Sequence, residues 1–511
     1  MTTVMTGRLF YKLNGRTTSD KRPLVNRRLA CAIASSYYWS STEYSANNAW
    51  NVNFGGTNSN NNNKNNSNYV RAVAALDEEE KASVMEAYDD CCRNKMGSPD
   101  CVEFRLHPEM IIVLAVRIKM RCYEPGLSKT FIVKRPKLRE IFAAFFLDRI
   151  VQHWIYLRIN PLFEIRFVLM GNVSYNCRKG FGTLAARQRL YGDMFKHGFN
   201  SGYTIGKFDL FSCFMSTDKD VLWSKLEVFL LEQYKADDID TLMYLLKITV
   251  FHRPQDNCER RGDISLWEKL PKEKSLFYCN GLPIGNITTQ ILLNFLLSYF
   301  DEWILLQIAS LGYEHPEEHY IRFVDDFVVH SMLDAHVKFI HAMSRKWLWD
   351  NLRFKLHPDK VYIQPQFHGV KFVGGVLLPG RIYIINRTVA AMYLRINYTD
   401  TLCREIIEHG ATETRLALLQ HCVSSLNSYS GFLVHGKSYN LQKKLLLPLQ
   451  WFWKVCYTKG NLNVVVIKNK YKLSKYLIHE QELQCRITDS LRPRHRESFP
   501  DDKFLRRARI W

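Results

Sequence analysis

The sequence lacks the features that mark secreted, membrane-spanning and zinc-binding proteins. Its thirteen cysteines are scattered along 511 residues, and no two of them form a CxxC pair of the zinc or redox type. The amino terminus has no secretory apolar segment. The most apolar long run, residues 291–308, contains Asn294, Asp301 and Glu302, so it predicts a buried helix and not a membrane span. These absences predict a cytoplasmic protein with reduced thiols.

Acidic residues are few relative to basic ones. The chain has 50 Asp and Glu against 70 Lys and Arg, which gives a formal net charge of +20. Such an excess suits a polyanionic partner, and nucleic acid is the first candidate. An anionic membrane surface is the alternative, but the basic residues are spread along the chain and not concentrated in one amphipathic helix. With 47% hydrophobic residues, most of the chain is expected to fold, in several domains.

The amino-terminal part of the chain has too little apolar content for a core of its own. Asparagine occupies eight of the eleven positions from Asn58 to Asn68. Such a run cannot bury enough apolar surface to offset its ordering entropy, so we expect a loop or disorder there. Residues 38–41 and 50–54 resemble strands of a ligand-binding β-rich domain. Because about 45 residues cannot sustain such a domain, residues 1–76 are expected to be poorly ordered.

Two adjacent carboxylates, Asp325 and Asp326, lie between two short runs of β-forming residues in 320–330. This pattern predicts a hairpin that exposes both side chains at its tip, where they can bind hard divalent cations such as Mg²⁺. A polar turn without function is the alternative. A short predicted strand, residues 204–211, carries Asp209 near its end. If the strands pair, the three carboxylates meet.

Three further segments have patterns that suit a polymerase. Residues 131–139 form a basic strand and turn, which is either a solvated face or a grip for a triphosphate or a nucleic-acid backbone. A glycine-containing loop, residues 281–290, precedes the apolar helix, although ordinary turns share this pattern. Residues 356–360 and the predicted hairpin 367–375 follow the Asp-Asp turn. Joining a nucleotide to a 3′-hydroxyl uses two metal ions about 4 Å apart, which the three carboxylates would hold.

In this order, the segments resemble the successive motifs of reverse transcriptases over roughly residues 80–450. The resemblance implies an α+β fold of the right-hand polymerase type, with fingers, an antiparallel palm sheet with helices, and a helical thumb. The implied domains are the fingers at 77–200, the palm at 201–383, the thumb at 384–480 and a basic tail at 481–511. Fingers and palm are interleaved.

The resemblance also implies roles for single residues in an RNA-directed DNA polymerase. Asp209, Asp325 and Asp326 would be catalytic and, together with Leu210, would bind two Mg²⁺ ions, with Mn²⁺ as the alternative metal. Lys360 would protonate pyrophosphate, or it is a surface lysine after a proline turn. Phe214 would exclude ribonucleotides, and Arg139 would lie over the incoming base. The implied dNTP-binding positions are Lys134, Lys137, Arg139, Phe214, Ile284, Gly285 and Gln290.

Several segments are similar to one branch of the family, the reverse transcriptases of bacterial and phage diversity-generating retroelements. The loop has Ile284-Gly285 where many members have Gln-Gly, and residues 139–144, 148–153 and 424–431 show the same likeness. These enzymes copy a template-repeat RNA with errors at adenines, and the cDNA replaces a variable repeat in a target gene. Because asparagine codons are adenine-rich, residues 31–74 are interpreted as a translated template repeat.

The resemblance implies template RNA, a cDNA or RNA primer and dNTPs as partners, with a basic accessory protein and no membrane. Two other readings stay open. A group II intron or retron type of reverse transcriptase shares the motifs, and a non-catalytic nucleic-acid-binding protein could keep the fold.

Overall fold

The computed structural model describes most of the chain between residues 37 and 477. The described residues are 37–43, 48–53, 59–63, 78–107, 109–134, 137–198, 202–436 and 438–477. The predicted basic tail at 481–511 lies outside them. The chain divides into two compact units at His368/Gly369, whereas the sequence predicted the end of the palm at residue 383.

Three strands lie in the amino-terminal segment that was predicted to be poorly ordered. They are β1 (Tyr37–Glu43), β2 (Asn48–Asn53) and β3 (Ser59–Asn63), paired antiparallel in the order β1-β2-β3. The prediction that residues 38–41 and 50–54 are strand-like is confirmed for 38–41 and 50–53. The prediction of a loop at Asn58–Asn68 is wrong for Ser59–Asn63, because the backbone of these residues completes an antiparallel ladder beside β2.

Helices and one small sheet make up the described chain from residue 78 to residue 198. The helices are α1 (Glu78–Cys92), α2 (Pro99–Leu106), α3 (Glu109–Lys119), α4 (Phe146–Leu169) and α5 (Thr183–Lys196). Strands β4 (Ser128–Val133) and β5 (Arg139–Ala143) pair antiparallel, and β7 (Cys258–Arg260) joins β4 in parallel.

A four-stranded antiparallel sheet is the centre of the first unit. Its order is β10-β6-β9-β8, with β6 (Thr204–Asp209), β8 (Tyr320–Phe323), β9 (Asp326–Ser331) and β10 (Tyr362–Pro365). The helices of this part are α6 (Lys219–Gln233), α7 (Ile239–Phe251), α8 (Ser265–Glu268), α9 (Ile287–Ser310) and α10 (Asp334–Leu352).

Helix α9 is the central helix of the first unit. It is long and apolar enough to cross a membrane by length and composition, but 67% of the window that passes this test is buried inside the protein. Phe295 of α9 stacks on Phe163 of α4 with ring centroids 4.3 Å apart, and Phe300 packs edge-on against Phe327 of β9. The helix therefore belongs to the core, as the polar residues within it predicted.

The second unit consists of a small antiparallel sheet, a helical layer and a hairpin. The sheet is β11 (Val370–Phe372), β12 (Gly375–Leu378) and β13 (Arg381–Ile384). The helices are α11 (Asn386–His409), α12 (Glu413–Leu433), α13 (Tyr439–Leu446) and α14 (Phe452–Val455), and the hairpin is β14 (Cys456–Lys459) with β15 (Val464–Ile467). Buried residues of the helices and of β15 form one core, which includes Ile396, Leu419 and Val465.

Candidate active site

The predicted acidic residues meet at one end of the four-stranded sheet. Strand β6 pairs with β9 in a register that sets Asp209 opposite Asp326. Val324 and Asp325 form the two-residue turn between β8 and β9. The main-chain N–H of Leu210 donates to the carbonyl oxygen of Asp325 at 3.1 Å, which ties the turn to the end of β6. Two strands more than 100 residues apart in sequence thus bring three carboxylates together.

Burial and the repulsion between neighbouring carboxylates disfavour the ionised forms of Asp325 and Asp326. Burial first, and then the negative charge of Asp209, raise the pKa of Asp325. Burial raises the pKa of Asp326 to about 6, where the attraction of Lys207 opposes the repulsion of Asp325 and Asp209. Nearby positive charge is what keeps such a cluster ionised.

Two lysine ammonium groups lie against the carboxylates. Lys360 Nζ donates to Oδ1 of Asp209 at 2.6 Å, although the Lys360 side chain is 43% exposed. Lys207 Nζ lies 3.1 Å from Oδ1 of Asp326. Lys207 was not predicted as a site residue. The signal for it was in the strand pattern, because a residue two positions before Asp209 points to the same face of the sheet.

The donor atoms of this cluster fit a divalent cation. Carboxylate oxygens are ligands that Mg²⁺ accepts. Oδ1 of Asp326 accepts no hydrogen bond from the described residues, since Lys207 lies within ion-pair distance but outside hydrogen-bond geometry. Within the described ranges no three acidic, histidine or cysteine side chains are grouped closely enough to hold one metal ion. The ammonium groups of Lys360 and Lys207 lie beside Asp209 and Asp326. The binding of Mg²⁺ or Mn²⁺ stays a prediction.

Arg139 and Glu140 point to opposite faces of β5. Glu140 is buried and accepts hydrogen bonds from Trp267 Nε1 (2.8 Å), Ser275 Oγ (3.0 Å) and the Leu276 N–H (2.7 Å). These bonds fix β5 to the segment that follows α8. Arg139 is exposed, and its charge lowers the pKa of Asp325 against the larger effect of burial. The charge of the arginine therefore acts on Asp325. Its contact with the incoming nucleotide stays a prediction.

The other predicted basic residues do not reach the carboxylates. Lys134 and Lys137 are exposed. Lys134 Nζ lies 3.4 Å from Oδ2 of Asp263 in a weak, exposed ion pair. Within the described ranges the structure shows no contact between either lysine and Asp209, Asp325 or Asp326. Their role in phosphate binding stays a prediction.

The main chain of Phe214 is held by the glycine loop. The N–H of Leu282 donates to the carbonyl oxygen of Phe214 at 2.8 Å. A Cβ atom at Gly281 would lie 2.2 Å from that oxygen and 2.4 Å from the carbonyl carbon and oxygen of Met215. Glycine is therefore required at position 281 by the close approach of two backbones. The loop is more than a turn before a helix, because its main chain also holds the segment that carries Phe214.

Ile284 and Gly285 pack against strand β5. The carbonyl oxygen of Ile284 accepts from the Phe142 N–H at 2.8 Å. Gly285 has a φ of +129°, and a Cβ there would lie 2.6 Å from the Phe142 carbonyl oxygen. The half-buried Ile284 side chain joins a small cluster with Phe142, Met215 and Leu276. The loop thus connects β5 with the residues that follow β6.

Gln290 is exposed at the start of α9 and contacts a residue that the sequence did not single out. Cys177 Sγ donates to Oε1 of Gln290 at 3.0 Å. Cys177 has a φ of +54° and lies in the loop between α4 and α5. Asn176 and the buried Arg322 were missed as well, since neither residue type signals a site by itself. Both lie directly behind the Asp-Asp turn.

Comparison of the sequence with protein families identifies the domain that contains this site. Residues 132–377 match the family model described as reverse transcriptase (RNA-dependent DNA polymerase). The matched range runs from β4 to β12 and contains every predicted site residue. The chain therefore carries a reverse transcriptase domain. The reverse transcriptase fold is the right-hand polymerase fold, which confirms the predicted fold class: mixed helices and antiparallel sheets. No curated protein matches the sequence.

Solved structures that resemble this chain include telomerases. The apo telomerase of Candida tropicalis, truncated from its C-terminal domain, is 14% identical with a TM-score of 0.35, over 51% of this chain and 55% of that one. The telomerase of Candida albicans, in complex with a TWJ fragment of telomeric RNA, is 13% identical with a TM-score of 0.36, over 64% and 59%. The chain thus spans less than two thirds of their length. So distant a likeness says nothing about the substrate of this chain.

Gly281→Ala should destabilise the reverse transcriptase domain, because the new methyl group overlaps the Phe214 and Met215 main chain. We expect a loss of about 1–3 kcal/mol in the free energy of unfolding, as for other overpacked sites. Thermal unfolding measures it. Gly192→Ala is the matched control, since position 192 lies inside α5 with open space around it. That variant should be neutral or slightly more stable; equal melting temperatures for the two variants would contradict the analysis.

Proposed function

We propose that this chain is an RNA-directed DNA polymerase that extends a primer on an RNA template from dNTPs. The observation that carries the proposal is the register of β6 and β9, which sets Asp209 beside Asp325 and Asp326 inside a domain of the reverse transcriptase family. A polar turn without function needs no partner strand with a third carboxylate. The basic net charge of +20 suits the nucleic-acid substrates.

Asp209, Asp325 and Asp326, with Leu210 beside them, would hold two Mg²⁺ ions. Bound there, the ions would lower the pKa of the attacking 3′-hydroxyl and neutralise the triphosphate. Lys360 donates to Asp209 and would protonate the leaving pyrophosphate. Arg139 would lie against the incoming nucleotide. Lys134, Lys137, Gly285 and Gln290 complete the proposed binding surface.

Phe214 would limit the space beside the sugar of that nucleotide. Its main chain is hydrogen-bonded to the N–H of Leu282, which fixes the backbone position of the residue that carries the ring. A ribonucleotide differs from a dNTP by a 2′-hydroxyl, and a fixed aromatic ring can exclude that extra group by contact. This role comes from the resemblance stated above, and the fixed main chain supports it.

We further propose that the enzyme is of the diversity-generating type and copies a template-repeat RNA with errors at adenines. Ile284 supports this, because it offers no side-chain amide to the base-pair region and lies in the apolar cluster around Phe142. Apolar contact discriminates weakly between bases. The asparagine run supports it as the trace of adenine-rich codons. The proposal includes a basic accessory protein, cytoplasmic location, and origin in a bacterium or phage.

Replacing the two turn carboxylates tests the polymerase. Asp325→Asn with Asp326→Asn should reduce primer extension on RNA with dNTPs and Mg²⁺ by at least about 100-fold. The two replacements remove anionic ligands of the metal ions that would stabilise the transition state. Asp334→Asn, an exposed acidic residue at the start of α10, is the control and should keep full activity. Activity that survives the double replacement would refute the assignment. No incorporation by the wild-type protein would favour a non-catalytic nucleic-acid-binding protein.

Ile284→Gln tests the origin of the errors. We expect misincorporation opposite adenine to fall more than total synthesis, since an added amide can contact the base-pair region by hydrogen bonds. Sequencing of the cDNA made from a defined RNA measures both quantities. Ile264→Gln, at an isoleucine that is 60% exposed, controls for the substitution itself and should leave the errors unchanged. An unchanged error spectrum in Ile284→Gln would sink this proposal and leave an intron or retron type.

The DNA around the gene tests the interpretation of residues 31–74. A translated template repeat requires a near-identical repeat elsewhere, which differs from it almost only at adenines. Sequencing of the flanking DNA should reveal that repeat within or beside a gene for a binding protein. Its absence would make residues 31–74 a linker.

A further inference from the structure

A fully buried ion pair lies directly behind the Asp-Asp turn. Arg322 of β8 has no exposed surface, and Asp301 of α9 is 1% exposed. Arg322 Nε donates to Oδ1 of Asp301 at 2.7 Å, and Nη2 donates to Oδ2 at 2.6 Å. The hydroxyl of Tyr320 donates to the same Oδ1 at 2.7 Å. The pair is bidentate and anchored on the central helix.

The same arginine reaches the turn itself. Arg322 Nη1 donates to the carbonyl oxygen of Val324 at 3.1 Å. On the other side of that residue, the Val324 N–H donates to Oδ1 of Asn176 at 3.0 Å. Both polar groups of the Val324 main chain are therefore held by side chains from outside the turn. Lysine would not replace the arginine, because its donors sit on one nitrogen, whereas Arg322 uses Nε, Nη1 and Nη2 to reach Asp301 and Val324.

Val324 needs such support because its backbone is strained. Its φ is +57°, in the left-handed region that a β-branched residue rarely adopts. A two-residue hairpin turn with positive φ at its first position ordinarily carries glycine there. Strained conformations of this kind persist only where the surroundings fix them, and they cluster at active sites.

Asn176 is held in place from behind. Asn294 of α9 donates through Nδ2 to the carbonyl oxygen of Asn176 at 3.2 Å, and the Ser174 hydroxyl donates to Oδ1 of Asn294 at 2.6 Å. Arg322 Nη2 also donates to Oδ1 of Asn294 at 2.9 Å. The two side chains that hold Val324 thus share one partner on the rigid central helix.

A purely structural role explains this network poorly. A buried ion pair adds little net stability, and apolar residues of the same volume often serve as well. Apolar residues could not, however, bind the N–H and carbonyl of one turn residue.

We propose that Asn176 and Arg322 are positioning residues that hold Val324 in its left-handed conformation and thereby fix Asp325 and Asp326. Neither residue contacts the reacting atoms. They act through the turn, whose backbone sets where the two carboxylates point. The effect on synthesis rests on the proposed function, whereas the effect on the turn does not.

Asn176→Ala tests the proposal, since it removes one holding group without leaving a buried charge unpaired. Because small misplacements of catalytic groups are costly, kcat for primer extension should fall by about 10- to 100-fold. The KM for dNTPs should change by less than about 2-fold, as expected when substrate binding is kept. Hydrogen–deuterium exchange should become faster in peptides that contain the Val324 amide.

Two further variants separate positioning from stability. Tyr320→Phe removes a hydrogen bond from Asp301 in the same network without touching the turn, so its kcat should stay within about 2-fold of the wild type. Val324→Gly adopts the left-handed conformation without support. Combined with Asn176→Ala, it should therefore recover at least about 5-fold of the lost kcat, a clear departure from additivity.

Three results would overturn the inference. They are an equal loss of kcat in Asn176→Ala and Tyr320→Phe, additive effects of Asn176→Ala and Val324→Gly, or unchanged exchange at the Val324 amide in Asn176→Ala. If the wild-type protein makes no DNA, the proposed function fails, and the exchange measurement alone still decides whether Asn176 holds the turn.

Discussion

The antiparallel pairing of β6 with β9 is the constraint on which the rest of this protein depends. Side chains along a strand alternate between the two faces of a sheet, so a slip of one residue would send every side chain to the other face. The register that buries Phe208 and Phe327 in the core also sets Asp209 opposite Asp326. The same strand register therefore determines both the packing of the core and the position of the acidic cluster.

The three carboxylates repel one another, and positively charged side chains close to them reduce this repulsion. Lys360 reaches Asp209 from the segment after α10, Lys207 reaches Asp326 from within β6, and Arg139 acts on Asp325 from β5. These cations come from three separate elements. The positive charges thus oppose the repulsion between the carboxylates, while no described residue donates a hydrogen bond to Oδ1 of Asp326.

Local sequence patterns predicted what depends on local chemistry. The alternation in residues 320–330, with two aspartates between β-forming runs, predicted the hairpin, and the order of the motifs predicted the fold. The strand β3 could not be predicted from its asparagines, because its ladder depends on the presence of β2 beside it. Asn176 and Arg322 stayed hidden for the same reason. Their importance lies in what they contact across the chain, and no spacing in the sequence encodes those contacts.

The contact between Gly281 and the Phe214 main chain makes the position of residue 214 independent of the size of its side chain. The position of Phe214 is set by backbone atoms, through Gly281 and the N–H of Leu282. The size of its side chain plays no part in that contact. A different side chain at position 214 would therefore keep the backbone contacts with Gly281 and Leu282, while it would change how this residue packs against the core.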